Sequence, residues 1–358
     1  GIRLMAYSTI PKGSLYMNNV LYTGNGSTNN ITGVGFQPDW VWLKKKNSAA
    51  NHYLTDAVRG VTKDVSSNTN FAEDTHSNGL TAFGSDGFSL GDNSGFNGNS
   101  DTFVAWNWKA NGQGSSNTDG STNTIYTSVN TTSKFSISSY TGTGVAGATI
   151  GHGLGVIPKM IFVKVTNTTN NWGVYHASLG SGSPQNKYLI LDANNTQEDA
   201  TTLWNDTAPT DQVFSVGSGG MTNLNGNTYI SYAFSDVKGY SKFGSYTGAS
   251  SNLPFIYTGF KPAFLLIKKA TGSVNNWYMF DSATSPSNVV IKYLTADTND
   301  IENTSSNSQD LDLLSNGFKI RNTNNGGNTN AETYIYMAFA ENPFVATSGT
   351  SALPVTAR

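Results

Sequence analysis

The stretch FQPDWVWLKKK at residues 36–46 combines two tryptophans with a valine and a leucine and then ends in three lysines. Related stretches return twice, as VIPKMIFVKV at 156–165 and as FKPAFLLIKKA at 260–270. In each, a lysine follows a proline by six residues: Lys44 after Pro38, Lys164 after Pro158 and Lys268 after Pro262. This pattern predicts a buried β-strand that begins at the proline and whose lysine lies exposed at the strand end, as a solvated rather than a catalytic group.

The three stretches belong to longer copies of one pattern. A Tyr-Thr-Gly precedes each proline, and a second strand-like piece, a phenylalanine-centred strand and an aromatic strand follow it in the same order. The aromatic strands are FVAWNW at 103–108, YISYAF at 229–234 and YIYMAF at 334–339. Large and small side chains alternate in them, as is typical of strands with one face in a core. We therefore predict three tandem copies of one domain.

The composition favours an all-β protein. Only 12% of the 358 residues are charged and 38 are glycine, which disfavours long surface helices and favours strands joined by many turns. We predict three tandem related β-sandwich domains of the jelly-roll or lectin-like kind. The predicted boundaries are an N-terminal arm at 1–20, repeats at 21–110, 135–240 and 241–345, a Gly/Ser/Asn linker at 111–134 and a C-terminal tail at 346–358.

Charge and residue content disfavour several kinds of partner and chemistry. The net charge of −2 provides no basic field for nucleic acid. No apolar run approaches the ~20 residues that a membrane-spanning helix needs, so we expect no membrane insertion. The chain contains no cysteine, which excludes disulfides, thiolate catalysis and cysteine-ligated zinc.

No motif of a known catalytic or metal site stands out. Histidine, the usual general base, occurs at 52, 76, 152 and 176, and none of the four recurs in all copies. We therefore predict no catalytic residue, metal or cofactor. The loops DNSGFNGNSD at 92–101 and ADTNDIEN at 296–303 are rich in oxygen ligands, so calcium stays open as an alternative, although such clusters are equally typical of β-turns.

Aromatic residues are the better functional candidates. Trp172 and Trp277 occupy the same slot after an asparagine, and Tyr53, Tyr175 and Tyr278 lie on the strand that follows. Exposed aromatic rings amid amide and hydroxyl side chains form platforms on which sugars stack. The alternative, which we favour for any single ring, is that these side chains fill the cores of the domains.

The sequence of the copies resembles a domain family of unassigned biochemistry found in tail fibres and other structural proteins of bacteriophages, especially marine ones. The first unit carries GVGFQPDWVWLKKK and FVAWNWKANG, the second ATIGHGLGVIPKMIFVK and the third YTGFKPAFLLIKKA and YIYMAFAENPF. The resemblance covers about residues 21 to 344. One departure is Asn107, where the family's first unit often has cysteine.

The resemblance implies a virion structural component, fibre-like or adhesive, and adds no active-site residue. We expect no enzymatic activity, a location on the tail or capsid surface and assembly in the host cytoplasm. The expected role is a tail fibre or receptor-binding adhesin that contacts host-surface glycans. Two alternatives remain, a capsid decoration or head-fibre protein and a glycan-degrading spike enzyme. The expected partners are other virion proteins, host-surface polysaccharide and further copies of the chain, as a homotrimer or another homo-oligomer.

Overall fold

A computed structural model describes residues 8–306 and 309–343, without the side chains of residues 325 and 343. The expected tail at 346–358 and the first seven residues of the expected N-terminal arm lie outside the described residues. Within them the regular secondary structure is mostly β-strand, with 41% of residues in strands and 6% in helices, so the predicted all-β class is confirmed. The described residues include no helix long and apolar enough to cross a membrane.

Unit 1, residues 17–108, contains a main sheet of order β1-β9-β3-β4 and a smaller sheet of order β2-β8-β7. A short pair, β5-β6, and one helical turn, α1, complete the unit. Its elements are β1 (Met17–Thr23), β2 (Asn29–Ile31), β3 (Trp40–Lys45), β4 (His52–Asp56), β5 (Lys63–Asp64), β6 (Asp74–Thr75), β7 (Leu80–Gly84), β8 (Gly87–Leu90), α1 (Ser94–Asn97) and β9 (Thr102–Trp108).

Unit 2, residues 126–234, repeats this plan with a longer main sheet of order β10-β11-β18-β13-β14-β15-β16 and a small sheet β12-β17. Its elements are β10 (Tyr126–Asn130), β11 (Phe135–Thr141), β12 (Ala148–Gly151), β13 (Met160–Val165), β14 (Gly173–His176), β15 (Lys187–Ile190), β16 (Glu198–Asp199), α2 (Thr201–Trp204), β17 (Val213–Val216) and β18 (Thr228–Phe234).

Unit 3, residues 241–343, has a main sheet of order β19-β26-β21-β22-β23 and a small sheet of order β20-β25-β24. Its elements are β19 (Ser241–Thr247), β20 (Phe255–Tyr257), β21 (Phe260–Lys269), β22 (Trp277–Asp281), β23 (Leu294–Thr295), β24 (Leu311–Leu314), β25 (Gly317–Ile320), α3 (Asn325–Asn328) and β26 (Thr333–Pro343). Three single turns of 3-10 helix occur at Gly13–Leu15, Gly180–Gly182 and Pro184–Asn186.

The two strands that dominate the sequence pattern are neighbours in every main sheet. The proline-lysine strand runs antiparallel to the aromatic strand, and the register repeats: Trp42 lies opposite Trp106, Phe162 opposite Tyr232 and Leu266 opposite Met337. One face of each of these strands carries large apolar side chains along its whole length. Because the register is the same in all units, the equivalent face of each main sheet is a broad hydrophobic surface.

Those three surfaces meet in one shared core. Aromatic rings of different units touch around it in a closed cycle. Trp40 of unit 1 stacks on Tyr232 of unit 2 with centroids 4.4 Å apart, Phe234 of unit 2 packs on Phe339 of unit 3 at 5.9 Å, and Phe264 of unit 3 packs on Trp108 of unit 1 at 5.5 Å. The main sheets therefore form three walls around a common centre.

The opposite face of each main sheet packs on the small sheet of its own unit. Three separate apolar clusters fill these spaces, and a phenylalanine of the small sheet lies in each: Phe88, Phe214 and Phe318. The proline-lysine strands are therefore covered on both faces, which explains why their apolar runs do not alternate with polar residues.

The segment expected to be a linker, 111–134, is hydrogen-bonded to its neighbours and contributes β10 to the main sheet of unit 2. Buried Asp39 of unit 1 accepts bonds from the backbone N–H groups of Ala110 (2.6 Å) and Gly112 (3.1 Å). At Gly114, whose φ is +75°, a Cβ would lie 2.1 Å from the carbonyl oxygen of Thr127, so only glycine fits this close approach.

Candidate functional site

The two candidate tryptophans are buried at the interfaces between units. Trp172 and Trp277 are both 0% exposed. The indole N–H of Trp172 donates to the carbonyl of Ser66 in unit 1, and that of Trp277 donates to the carbonyl of Ile190 in unit 2, both at 2.9 Å. His52 holds the same slot in unit 1, with Nε2 3.0 Å from the carbonyl of Thr295 in unit 3. A sugar cannot stack on rings enclosed in this way.

The lysines that follow the prolines are buried too, contrary to the expectation of exposed strand ends. Lys44, Lys164 and Lys268 are each 0% exposed because a loop of the neighbouring unit covers the strand end. Each Nζ donates to a carbonyl of its own unit and to one across the interface: Lys44 to Ala50 and Asn299, Lys164 to Asn170 and Asn70, and Lys268 to Asn275 and Asn194. Burial lowers the pKa of all three to about 8.

Tyr175 lies in the outer core of unit 2. It is 4% exposed and packs edge-on against Trp204, with ring centroids 6.0 Å apart. Burial raises the pKa of its hydroxyl to about 12. Of the five aromatic candidates, this tyrosine and the two tryptophans thus have structural positions. Tyr278, 8% exposed, is also part of the outer core of its unit, with one edge at the surface.

Tyr53 and Tyr278 line two surface grooves that are equivalent by the repeat. The Tyr53 groove, of about 310 Å³, includes Asn51, Tyr53, Asp64, Phe71, Asp74 and His76. The Tyr278 groove, of about 480 Å³, includes Asn276, Tyr278, Tyr293, Ile301, Asn303 and Ser305. The correspondence follows from pairing, because Leu54 lies opposite Val65 in unit 1 as Met279 lies opposite Leu294 in unit 3.

The Tyr53 groove combines an aromatic wall with acidic groups. The Tyr53 ring packs on Phe96 at 4.1 Å and edge-on against His76 at 5.7 Å. Nδ1 of His76 lies 2.7 Å from Oδ2 of buried Asp64, and Asp74 stands at the rim. The pKa of Asp64 is raised by burial, against the lowering effect of its bond with His76. Phe71 is 64% exposed and offers a free apolar face.

The Tyr278 groove has more neutral polar groups around its ring. Tyr278 packs edge-on against Tyr293 at 5.3 Å, and its hydroxyl donates to Oδ1 of Asn275 at 2.5 Å. Burial raises the pKa of Tyr278. Asparagine, threonine and serine side chains surround it together with the carboxylates of Asp300 and Glu302, so the groove offers both donors and acceptors beside an aromatic edge.

The corresponding place in unit 2 differs. Gly173 holds the slot of the two tyrosines, and the hydroxyl of Tyr188 donates to Glu198 at 2.6 Å. Nδ2 of Asn195 donates to the other oxygen of Glu198 at 2.7 Å. These side chains bind each other. In unit 2 the polar groups at the position of the grooves are therefore hydrogen-bonded to one another.

The other candidate chemistry has structural explanations. His52, His152 and His176 are buried, and burial lowers the pKa of each below its ordinary value. In the loops considered for calcium, Asp101 pairs with Lys45 at 2.7 Å and Asp297 accepts the backbone N–H of Trp277 at 3.0 Å. Across residues 8–306 and 309–343, no three histidine or carboxylate groups converge as metal ligands.

The acidic loop residues of the grooves escaped sequence reasoning. Glu73 and Glu302 are equivalent, since their backbone N–H groups donate to Thr166 and Lys46 of the next unit, both at 2.8 Å. Glu73 follows Asn51 by 22 residues, whereas Glu302 follows Asn276 by 26. A fixed spacing between the asparagine and the glutamate is the sequence signal that could reveal this equivalence, and the shorter loop of unit 1 changes that spacing.

A family model described as "Domain of unknown function (DUF7483)" matches residues 12–343. No curated protein and no solved structure matches the chain. The matched range contains all three units and both grooves.

Proposed function

The chain belongs to the DUF7483 family, a domain of unknown function, and we propose that it is a bacteriophage virion protein, a tail fibre or receptor-binding adhesin that contacts host-surface glycans. Its three units then act as tandem β-sandwich domains of the jelly-roll or lectin-like kind. The observation that carries the proposal is the repeated groove: the same surface position holds a tyrosine beside asparagine in two of the three units.

The lining of the grooves suits sugars. Saccharides present apolar ring faces and many hydroxyls, which aromatic edges and amide or hydroxyl side chains complement. Volumes of about 310 and 480 Å³ match short segments of a polysaccharide rather than a large ligand. Each contact is expected to be weak, and an oligomer with several grooves raises the overall affinity by ~10²-fold or more when they engage together.

A rigid body is the second property that the role requires. The shared core and the buried lysine contacts link all three units across every interface. A virion component must hold its binding sites at fixed distances, and such cross-linking serves that purpose. The proposal includes assembly with other virion proteins and as a homotrimer, with a capsid decoration or head-fibre role as the alternative location.

Substitutions at the groove rims test glycan contact without disturbing a core. Phe71→Ala and Ile301→Ala change exposed residues, 64% and 54% exposed, one in each groove. Phe255→Ala, at an aromatic residue 46% exposed and outside both grooves, is the matched control. On arrays of host-surface glycans we expect weaker binding by the two groove variants and unchanged binding by the control. Absence of binding by the native oligomer, with no block of phage adsorption, refutes the adhesin role.

One observation favours a glycan-degrading enzyme as a second candidate. An imidazole held by a buried carboxylate is the arrangement that orients many general bases, and His76 is held by Asp64 at 2.7 Å in the Tyr53 groove. The adhesin proposal expects no product from a bound polysaccharide. Release of new reducing ends by the native protein, lost in His76→Ala, decides for the enzyme.

A further inference from the structure

A third groove, of about 570 Å³, adjoins the Tyr278 groove at the interface of units 3 and 1. The two share Ile301, Glu302 and Thr304, so they lie on either side of the same loop. The additional part is lined by Leu21, Thr23, Lys46, Asn47, Thr102 and Lys292. We call this part the Lys292 groove.

The repeat provides an internal reference for Lys292. Tyr293, the next residue, corresponds to Asp64 through the strand pairing of units 3 and 1, so Lys292 corresponds to Lys63. Lys63 is neutralised within its own unit: its Nζ lies 3.4 Å from Glu73 and donates to Oγ1 of Thr75 at 2.8 Å. The residues equivalent to these partners are Glu302 and Thr304.

In unit 3 the equivalent glutamate, Glu302, already has another ion-pair partner. Lys46 of unit 1 pairs with Glu302 at 3.0 Å. At the interface of units 1 and 2, the residue equivalent to Lys46 is Thr166, which carries no charge. Lys292 is left with no ion-pair or hydrogen-bond partner among residues 8–306 and 309–343. Within the described part of the chain, Lys292 is therefore a cation without a partner at the wall of a groove that also contains the Lys46–Glu302 pair.

We propose that the Lys292 groove binds the carboxylate of an acidic sugar residue, with the neighbouring sugar in the Tyr278 groove. The ammonium supplies a charge-assisted hydrogen bond, which is stronger than a neutral one. Thr23, Thr102 and Asn47 offer polar groups for hydroxyls, while Leu21 and Ile301, 46% and 54% exposed, cover an apolar ring face. The net charge of −2 does not oppose this, because the contact is local rather than a long-range field.

This inference rests on the proposed glycan-binding function and adds the charge of the ligand. The test uses the full chain on an array of bacterial surface glycans, with uronate- or sialate-bearing and neutral members. Lys292→Gln removes the charge at the groove, and Lys63→Gln removes the equivalent lysine that already has partners. We expect the acidic glycans to dominate native binding, Lys292→Gln to lose about tenfold in affinity for them, and Lys63→Gln to retain it.

The outcomes distinguish a preference for acidic sugars from glycan binding in general. If the native protein binds neutral glycans as well as acidic ones, or if Lys292→Gln and Lys63→Gln behave alike, the acidic-sugar inference is wrong while glycan binding stands. If no glycan binds, both fail. Raising the salt concentration provides a second readout, since binding to the acidic glycans is expected to weaken with salt in the native protein and much less in Lys292→Gln.

Discussion

Replacing Phe234 by alanine tests whether the three units share one core in energetic terms. Phe234 is 1% exposed, and its ring lies 6.0 Å from Trp40 of unit 1, 4.5 Å from Phe135 of its own unit and 5.9 Å from Phe339 of unit 3. Removing a buried phenylalanine ring costs about 3–5 kcal/mol, from lost burial and from the cavity that remains. No single unit can repack this space, because its walls come from all three.

The assay is unfolding in guanidinium chloride, followed by tryptophan fluorescence and by hydrogen exchange of peptides from β3, β13 and β21. With a slope of about 6 kcal/mol/M for a chain of this length, a loss of about 4 kcal/mol lowers the midpoint by about 0.7 M. We expect all three peptides to lose protection together. Phe255→Ala, which is exposed in unit 3, is expected to change stability by less than about 0.5 kcal/mol.

Separate transitions refute the shared-core reasoning, as does a variant in which β3 and β21 keep the native midpoint while β13 alone is destabilised. Phe234→Leu serves if the alanine variant does not fold, since it keeps part of the volume and is expected to lose about half as much stability. Its three peptides must also respond together.

Three other predictions concern buried polar groups. Burial lowers the pKa of His152 and His176 to about 4 in the folded protein, so each histidine contributes stability that is lost as the pH falls from 6.5 to 4. Buried carboxyl groups such as Asp297, whose pKa burial raises to about 6, act in the opposite direction. The measurement is therefore the difference in unfolding midpoint between the native protein and His176→Gln, and the native protein is expected to lose stability relative to the variant as the pH falls. Trp172→Ala and Trp277→Ala are each expected to lose about 3–5 kcal/mol of stability with unchanged glycan affinity; weaker binding at an unchanged melting temperature contradicts their buried position. Asp39→Ala removes the acceptor of the hydrogen bonds from the amides of Ala110 and Gly112. Limited proteolysis is therefore expected to cut within 110–124 in this variant and not in the native protein. Equal cleavage of both proteins would show that Asp39 does not hold the segment in place.

The strands can be predicted from the sequence because their side chains alternate with a period of two residues or recur at a fixed distance from a proline. Alternation predicts the three aromatic strands, and spacing to a proline predicts the three strands that pair with them, from Trp40–Lys45 to Thr333–Pro343. Sequence reasoning fails at Lys44 and its equivalents because their environment comes from another unit. A lysine at a strand end is ordinarily solvated, and nothing adjacent in sequence reveals that Asn299, more than 250 residues away, supplies its carbonyl.

The grooves were hidden for the same reason. The aromatic pattern selects Tyr53 and Tyr278 together with Trp172, Trp277 and Tyr175, and residue type alone does not separate a ring that lines a groove from a ring enclosed in a core. The distinction depends on loops of unequal length, such as the one that carries Phe71.

The common centre also has a consequence for how the three copies depend on one another. One unit alone leaves the inner face of its main sheet, with residues such as Trp40 and Trp106, open to water, so burial of that face requires the other two units. Joining the copies in one polypeptide makes folding independent of protein concentration, because the partners are always tethered. It also releases the copies from identity. The interfaces of a single chain need not be alike: His52 stands where the other two units have tryptophan, and Gly173 stands where the other two have the groove tyrosine.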